Sequence, residues 1–155
     1  MSIHPDFEEL LRLLGEHAVD FMIVGGYAVA YHGHPRFTKD LDLFFRLSEE
    51  NASRLRQALV AFGFTDENLP REAFTTPGTV LTFGVAPSRV DLLNNIDGVT
   101  YDEALPNMVW GAYGGVRVPF IGLADLIRNK QATPRAKDKG DVEELRQQVE
   151  RTDDR

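Results

Sequence analysis

Apolar and polar residues follow two different periods along the chain, and these periods predict a mixture of helices and strands. From Phe7 to Leu14 the apolar positions have the three- and four-residue spacing of an amphipathic helix, with possible caps in residues 2–6. The short, wholly apolar run at residues 21–24 predicts a buried strand. Residues 38–45 alternate polar with apolar, which predicts a second strand with one buried face.

The same reasoning places the remaining elements. Ser48 is the predicted N-cap of a helix that ends at Gly63, and residues 65–77 are polar and proline-bearing, which predicts a loop. The later predicted elements are strands at residues 80–85 and 89–93, a hairpin of residues 108–113 and 116–121, and helices from Leu123 and over residues 141–151. Val85 is expected on a buried strand face, and Trp110 and Tyr113 are expected to pack.

This order of elements predicts an α/β (α+β) domain with a mixed sheet and helices packed mainly on one side. The length of 155 residues suits one domain over residues 1–155, with a core of residues 5–121 and C-terminal helices in residues 122–151. Hydrophobic residues make up 43% and charged residues 26%, which is typical of globular proteins. No apolar run approaches the ~20 residues of a membrane span, and residues 1–20 lack a signal-peptide pattern, so we expect a cytoplasmic protein.

Charge and cysteine content exclude several function classes. The chain has no cysteine, which removes disulfides, thiolate catalysis and cysteine-ligated zinc. Its net charge of −7 disfavours indiscriminate binding of nucleic acid, because phosphate neutralisation supplies most of that affinity. Five basic residues among the twelve from Arg128 to Lys139 nevertheless predict a local positive surface, unless this segment is a solvated helix connection.

The candidate chemistry lies between Gly25 and Asp42. Gly25 and Gly26 end the first predicted strand, and a helix is expected to follow at once, leaving unpaired N–H groups at its positive end. Such N–H groups suit a phosphate, so a phosphate-binding site is expected here. Asp40 and Asp42 project from the same face of the next strand, with Cα atoms roughly 6.5 Å apart at ~3.3 Å per residue. Two carboxylates held side by side repel each other and suit a hard cation such as Mg²⁺.

Asp91 is a third candidate ligand. It lies among aliphatic residues on a predicted strand, and an acid buried without a partner is costly. A cation would remove that cost and is the favoured interpretation, with an acid that faces water on an edge strand as the alternative. His32 and His34 lack the third ligand that a zinc site needs, so a plain loop is favoured there. Asp97 and Gly98 are typical of a turn, and Asp97 is given no catalytic role.

These residues resemble the nucleotidyltransferase superfamily, which has a DNA polymerase beta-like fold. Gly25-Gly26 is followed, after thirteen residues, by Asp40-Leu41-Asp42-Leu43, which is similar to the signature of that superfamily. The stretch Arg36-Phe37-Thr38-Lys39-Asp40-Leu41-Asp42 resembles the minimal and abortive-infection toxin branches. The resemblance covers about residues 21–46, 89–93 and 123–141.

The resemblance implies a division of roles among these residues. Asp40, Asp42 and Asp91 would be the catalytic carboxylates and would hold one or two Mg²⁺ ions. The residues that would bind the nucleotide or its phosphates are Gly25, Gly26, Arg36, Thr38, Lys130, Arg135, Asp138 and Asp141. The implied reaction moves a nucleoside monophosphate from a nucleoside triphosphate to a hydroxyl of an acceptor, which could be an RNA end such as tRNA, a protein or a small molecule. A partner in a toxin–antitoxin pair is also implied.

Two alternatives remain open at this stage. The first is a catalytically inactive nucleotide- or partner-binding module that keeps the fold, against which the presence of all three carboxylates argues. The second is a Mg²⁺-dependent nuclease or phosphatase that uses the same acids. The Gly25-Gly26 helix start favours a triphosphate donor over this second alternative.

Overall fold

The computed structural model describes residues 3–33, 40–85 and 88–133, together with residues 142, 143, 145 and 146. Several predictions fall outside these residues, namely the strand start at Thr38 and Lys39, the turn at Ala86 and Pro87, and most of the last helix. Within the range of that last helix, Val142 and Leu145 have helical backbone and are buried, in agreement with the pattern.

The described chain alternates short strands with helices. The strands are β1 (Phe21–Val24), β2 (Asp40–Phe45), β3 (Val80–Phe83), β4 (Arg89–Leu93), β5 (Val109–Tyr113) and β6 (Val116–Phe120). The helices are α1 (Pro5–Glu16), α2 (Gly25–Tyr31), α3 (Glu49–Phe62), α4 (Glu72–Thr75), α5 (Tyr101–Ala104) and α6 (Leu123–Ala132), with 3-10 turns at Asp66–Asn68 and Leu105–Asn107. The predicted helices and strands of the described residues are therefore present, with bounds that differ by a few residues.

The six strands form one mixed sheet in the order β3-β4-β2-β1-β6-β5. Strands β1 and β2 are antiparallel, as are the hairpins β3–β4 and β5–β6, whereas β2–β4 and β1–β6 are parallel pairs. The predicted α/β architecture with a mixed sheet is confirmed. The central position of β2, between β1 and β4, decides which side chains meet at the candidate site.

The core fixes how β2 is oriented. The stripe of α1 that the sequence predicts is buried, and α1 packs against α3 and β6. Leu41 and Leu43 of β2 are fully buried, which is worth about 2 kcal/mol for each side chain. Since strand side chains alternate, Asp40, Asp42 and Phe44 share the opposite face.

Helix α5, which the sequence reading missed, covers one end of this carboxylate-bearing face. Its Tyr101 ring meets the Phe44 ring edge to face at 5.4 Å. A sequence signal was available, because Thr100 and Glu103 form a capping box: the Thr100 hydroxyl accepts from the Glu103 N–H, and the Glu103 carboxylate accepts from the Thr100 N–H. The other end of the face, at Asp42, is left for the candidate site.

Two further stretches differ from the sequence prediction. Residues 65–77, predicted as a loop, contain a 3-10 turn and α4, because Phe74 and its neighbour Ala73 are buried. Strand β3 ends at Phe83, since Gly84 has a φ of 78° that turns the chain. The expectation of a buried Val85 is therefore wrong, and this side chain is 78% exposed.

The expected packing of the hairpin aromatics holds for one of the two. Tyr113 is buried and meets Tyr27 edge to face, whereas Trp110 is 49% exposed. Trp110 faces away from the core on the edge strand β5, where the Arg117 guanidinium lies 4.5 Å from its ring centroid. Among the described residues no helix has the length and apolar character needed to span a bilayer.

Asn51 of α3 ties together the outer ends of β1 and β2. Its side-chain oxygen accepts from the Asp20 N–H at 2.7 Å, and its Nδ2 donates to the carbonyls of Asp20 and Arg46, each at 2.9 Å. The side chain is 1% exposed, so water has little access to replace it. One amide thus satisfies three backbone groups where the antiparallel pair ends.

Replacing Asn51 with alanine should lower the free energy of unfolding by about 2–3 kcal/mol, because three hydrogen bonds are lost and their backbone partners are left without the amide. Urea denaturation measures this change. The control is Asn68→Ala, at an exposed position, which should alter stability by less than ~0.5 kcal/mol. An equally small change at Asn51 would show that water can take over its three contacts.

Candidate functional site

Two aspartates are brought together by the pairing of β2 with β4. The register places Asp42 opposite Asp91 and Asp40 opposite Arg89. Burial raises the pKa of Asp42 to about 7, and the negative charge of Asp91, a hydrogen bond shared with Asp91 and the charge of Asp40 act in the same direction. The positive charge of Lys130 acts in the opposite direction and lowers this pKa. The structure therefore brings together residues that lie 49 positions apart in the chain.

Gly25 lies directly against the Asp42 carboxylate. Its φ is 69°, in the left-handed region that favours glycine, and a β-carbon at this position would overlap Oδ2 of Asp42. Two independent reasons therefore require glycine here. The second predicted glycine, Gly26, lies in the first turn of α2, which begins at Gly25 and has no side-chain cap.

Asp91 accepts two further hydrogen bonds at a single oxygen. The Thr82 hydroxyl donates to Oδ1 of Asp91 at 2.7 Å, and the Arg89 Nε donates to the same atom at 3.2 Å. Thr82 is the residue of β3 that pairs directly with Asp91 across the hairpin. The sequence reading missed Thr82, although the register of a β3–β4 hairpin would have placed it there.

Lys130 lies on the wall of a cleft of about 470 Å³ that opens beside these acids. The cleft is lined by Val24, Gly25, Asp42, Leu93, Asn95, Ile96, Asp97, Asn129, Lys130 and Thr133. Lys130 is in the last turn of α6 and is 7% exposed, an unusual degree of burial for a lysine. Its ammonium is near enough to Asp42 to lower the pKa of that carboxyl. Three of the predicted site residues (Gly25, Asp42 and Lys130) therefore line one cleft, and Asp91 adjoins it as the strand partner of Asp42.

A further part of the cleft lining comes from the turn that contains Asp97, which packs against α6. Asn129 of α6 donates from Nδ2 to the Asp97 carbonyl at 2.8 Å, and the Thr133 hydroxyl lies 3.5 Å from Oδ2 of Asp97. A β-carbon at Gly98 would come within 2.9 Å of Ala132, so turn and helix are closely packed. Asn129 went unnoticed in the sequence, because it carries no motif of its own.

The remaining predicted site residues are not all described. Arg36, Thr38, Arg135, Asp138 and Asp141 lie outside the described residues. Asp40 is described and acts on Asp42 through its charge. Within the described part of the chain, no three histidine, aspartate or glutamate side chains are grouped closely enough to hold a metal ion together.

The donor set at Asp42 and Asp91 nevertheless fits Mg²⁺. This ion prefers oxygen ligands and is usually bound through one or two carboxylates together with substrate phosphates, so a complete protein cage is not required. Two carboxylates in contact, with the pKa of one raised, also form a site whose repulsion a cation would relieve.

Comparison with known proteins gives a consistent result. The family described as "Nucleotidyl transferase of unknown function (DUF2204)" matches residues 4–154. A candidate nucleotidyltransferase from Thermotoga maritima is 16% identical, with a TM-score of 0.59 over 99% of this chain and 97% of that chain. An antigenic nucleotidyltransferase-like protein from Paracoccidioides brasiliensis is 18% identical, with a TM-score of 0.53 over 95% of this chain and 77% of that chain. These two likenesses show the fold alone. No curated protein matches the chain.

Gly25→Ala should destabilise the protein by at least about 2 kcal/mol, because it combines an unfavourable backbone angle with an overlap at Asp42. The matched control is Gly15→Ala in α1, where a β-carbon meets nothing within 4 Å. That change should stabilise the helix by up to about 1 kcal/mol. The free energies of unfolding in urea should therefore change in opposite directions, and a Gly25→Ala protein as stable as the parent would contradict the overlap.

The raised pKa of Asp42 predicts a pH dependence of stability in buffer with a chelator. The folded protein keeps this proton up to pH about 7, whereas the unfolded chain releases it near 3.8. The free energy of unfolding should therefore fall as pH rises from about 4 to about 7. Asp42→Asn removes this effect, so we expect the variant to exceed the parent by about 2 kcal/mol at pH 8 and by clearly less at pH 5. A difference that is equal at both pH values would contradict the raised pKa.

Proposed function

The chain belongs to the family of nucleotidyl transferases of unknown function that matches residues 4–154, and from that premise we propose that it transfers a nucleoside monophosphate from a nucleoside triphosphate to a hydroxyl acceptor. One observation carries the proposal. The β2–β4 register holds the carboxylates of Asp42 and Asp91 side by side, and that of Asp42 lies directly against the glycine that starts α2. We assign catalysis to these two residues and to Asp40.

The start of α2 is the proposed seat for the phosphates. No side chain caps this helix, and its first turn carries no acidic residue, so its backbone N–H groups are suited to an anion. Gly25 and Gly26 would donate these hydrogen bonds. The absence of a β-carbon at Gly25 makes room for the Asp42 carboxylate directly beside this helix start.

An acidic pair at a phosphate site requires a cation. Asp42 and Asp91 would repel a triphosphate that arrived alone, and they are the residues that would hold Mg²⁺, with Asp40 as a further oxygen donor. When bound there, Mg²⁺ would neutralise the triphosphate and lower the pKa of the acceptor hydroxyl. This need for a positive charge also explains why two repelling carboxylates are kept side by side.

Lys130 is the proposed stabiliser of the leaving group. The acceptor hydroxyl attacks the α-phosphorus, and the bond between this phosphorus and the oxygen that bridges it to the β-phosphorus breaks. Pyrophosphate then leaves with increased negative charge. Lys130 lies on the cleft wall near Asp42, which is where that charge would develop. Arg135, Asp138 and Asp141 are proposed to assist from the following segment.

An inactive nucleotide-binding module is the principal competing function. It would bind a triphosphate in the same cleft without consuming it, so binding and turnover have to be measured separately. A nuclease or phosphatase would release label as free nucleotide or phosphate and leave the acceptor unlabelled. The acceptor is best sought by separating RNA, protein and small molecules after the reaction.

The decisive assay incubates the protein with Mg²⁺, each α-labelled nucleoside triphosphate and a cell lysate, and follows label into the three fractions. Asp42→Asn and Asp91→Asn should abolish the transfer while the fold is retained. Lys130→Met should lower kcat/KM at least tenfold, which corresponds to ~1.4 kcal/mol of transition-state stabilisation. The control is Glu9→Gln, at an exposed position on α1, which should leave the transfer unchanged.

Thermal unfolding separates the competing functions. Mg²⁺ and a triphosphate together should raise the Tm more than either alone, and a ligand at a hundredfold excess over Kd contributes ~2.7 kcal/mol. A joint rise in Tm with no labelled product in any fraction would favour the inactive module. Full transfer activity in both aspartate variants would refute the proposed catalytic site.

A further inference from the structure

Thr82 contacts the candidate site from the edge of the sheet without lining the cleft. Its hydroxyl donates to Oδ1 of Asp91 at 2.7 Å, and Arg89 donates to the same oxygen. Both donors thus converge on one of the two carboxylate oxygens. Neither of these two donors contacts Oδ2 of Asp91, which is the oxygen that a cation held between Asp91 and Asp42 would use.

The two donors differ in how firmly they can hold the carboxylate. Thr82 is a short, β-branched residue with restricted χ1, and its strand is paired with β4 so that Thr82 stands opposite Asp91. Arg89 has a long side chain that is 45% exposed, and a guanidinium is itself a cation that competes for the carboxylate. The neutral hydroxyl orients Asp91 without such competition, and the Asp91 side chain is itself only 15% exposed.

We propose that Thr82 is a positioning residue, whose hydroxyl fixes the orientation in which Asp91 presents Oδ2 to a divalent cation. This inference rests on the proposed function, because it requires a cation between Asp42 and Asp91. Groups that orient a metal-binding side chain change metal affinity by about 10–100-fold when they are removed. A threonine that merely filled an exposed edge-strand position would have no effect on cation affinity.

The test measures cation binding without catalysis. Mn²⁺ prefers the same oxygen ligands as Mg²⁺, and its free form is counted by electron paramagnetic resonance. The probe is Mn²⁺ titrated into the full chain, with and without a non-hydrolysable nucleoside triphosphate analogue. The variants are Thr82→Val, which keeps the branched shape, Thr82→Ala, which removes the branch as well, and Thr82→Ser, which keeps the hydroxyl.

The matched control is Thr75→Val. Thr75 is an exposed threonine whose hydroxyl also makes one hydrogen bond, to the Arg71 carbonyl at 3.3 Å, but it lies on α4 and has no contact with Asp91. We expect Thr82→Val and Thr82→Ala to weaken Mn²⁺ binding at least about tenfold, and Thr82→Ser and Thr75→Val to bind as the parent does. Asp91→Asn shows the Mn²⁺ affinity that remains when the metal-binding carboxylate itself is removed.

The outcomes separate this inference from the proposed function. Parent-like Mn²⁺ affinity in Thr82→Val and Thr82→Ala, with loss in Asp91→Asn, would overturn the positioning role and leave the proposed function intact. Loss of affinity in Thr82→Ser as large as in Thr82→Val would also overturn it, because the hydroxyl would then not be the group responsible. Absence of Mn²⁺ binding by the parent protein would overturn the proposed function, and this inference with it.

Discussion

The structure depends on the electrostatic repulsion between Asp42 and Asp91, which the hydrophobic core enforces. Leu41 pairs with Val90 and Leu43 with Leu92, and all four are buried on one face of the β2–β4 pair. The same register sets Asp42 against Asp91 on the other face. A slip of one residue would separate the acids, but it would also turn the aliphatic side chains out of the core at about 2 kcal/mol each. The register that buries the core therefore also holds the two carboxylates together, and local rearrangement cannot relieve their repulsion.

The cleft around this pair is made by elements whose mutual positions are fixed by packing. Lys130 comes from α6, and another part of the lining comes from the turn at Asp97, which is bound to α6 through Asn129 and lies against it at Gly98. A contact this close leaves no room for the turn to move independently of the helix. The polar groups that line the cleft are thus arranged before any substrate binds, which is the condition under which electrostatic stabilisation is most effective.

How far the sequence predicts this arrangement depends on how far apart in the chain the interacting residues lie. Local patterns were sufficient for α1, for the alternation of β2 and for the glycine turn, since each is set by neighbouring residues. Thr82 was missed as a partner of Asp91, because it is found only when the register of the β3–β4 hairpin is worked out in addition to the pattern of each strand. Asn51 reads as an ordinary residue in the first turn of a helix, and its role appears only when the ends of β1 and β2 converge on it.

The contact between Gly25 and Asp42 links two positions that evolution would otherwise vary independently. As long as position 42 carries a carboxylate, position 25 has no space for a side chain. A descendant in which a smaller residue such as alanine replaced Asp42 would lose the overlaps with the carboxylate atoms and would keep mainly the requirement for a positive φ, which asparagine also tolerates. Loss of the glycine should therefore be found in lineages that have also lost the acid, so that this pair of substitutions marks branches in which the chemistry has been abandoned.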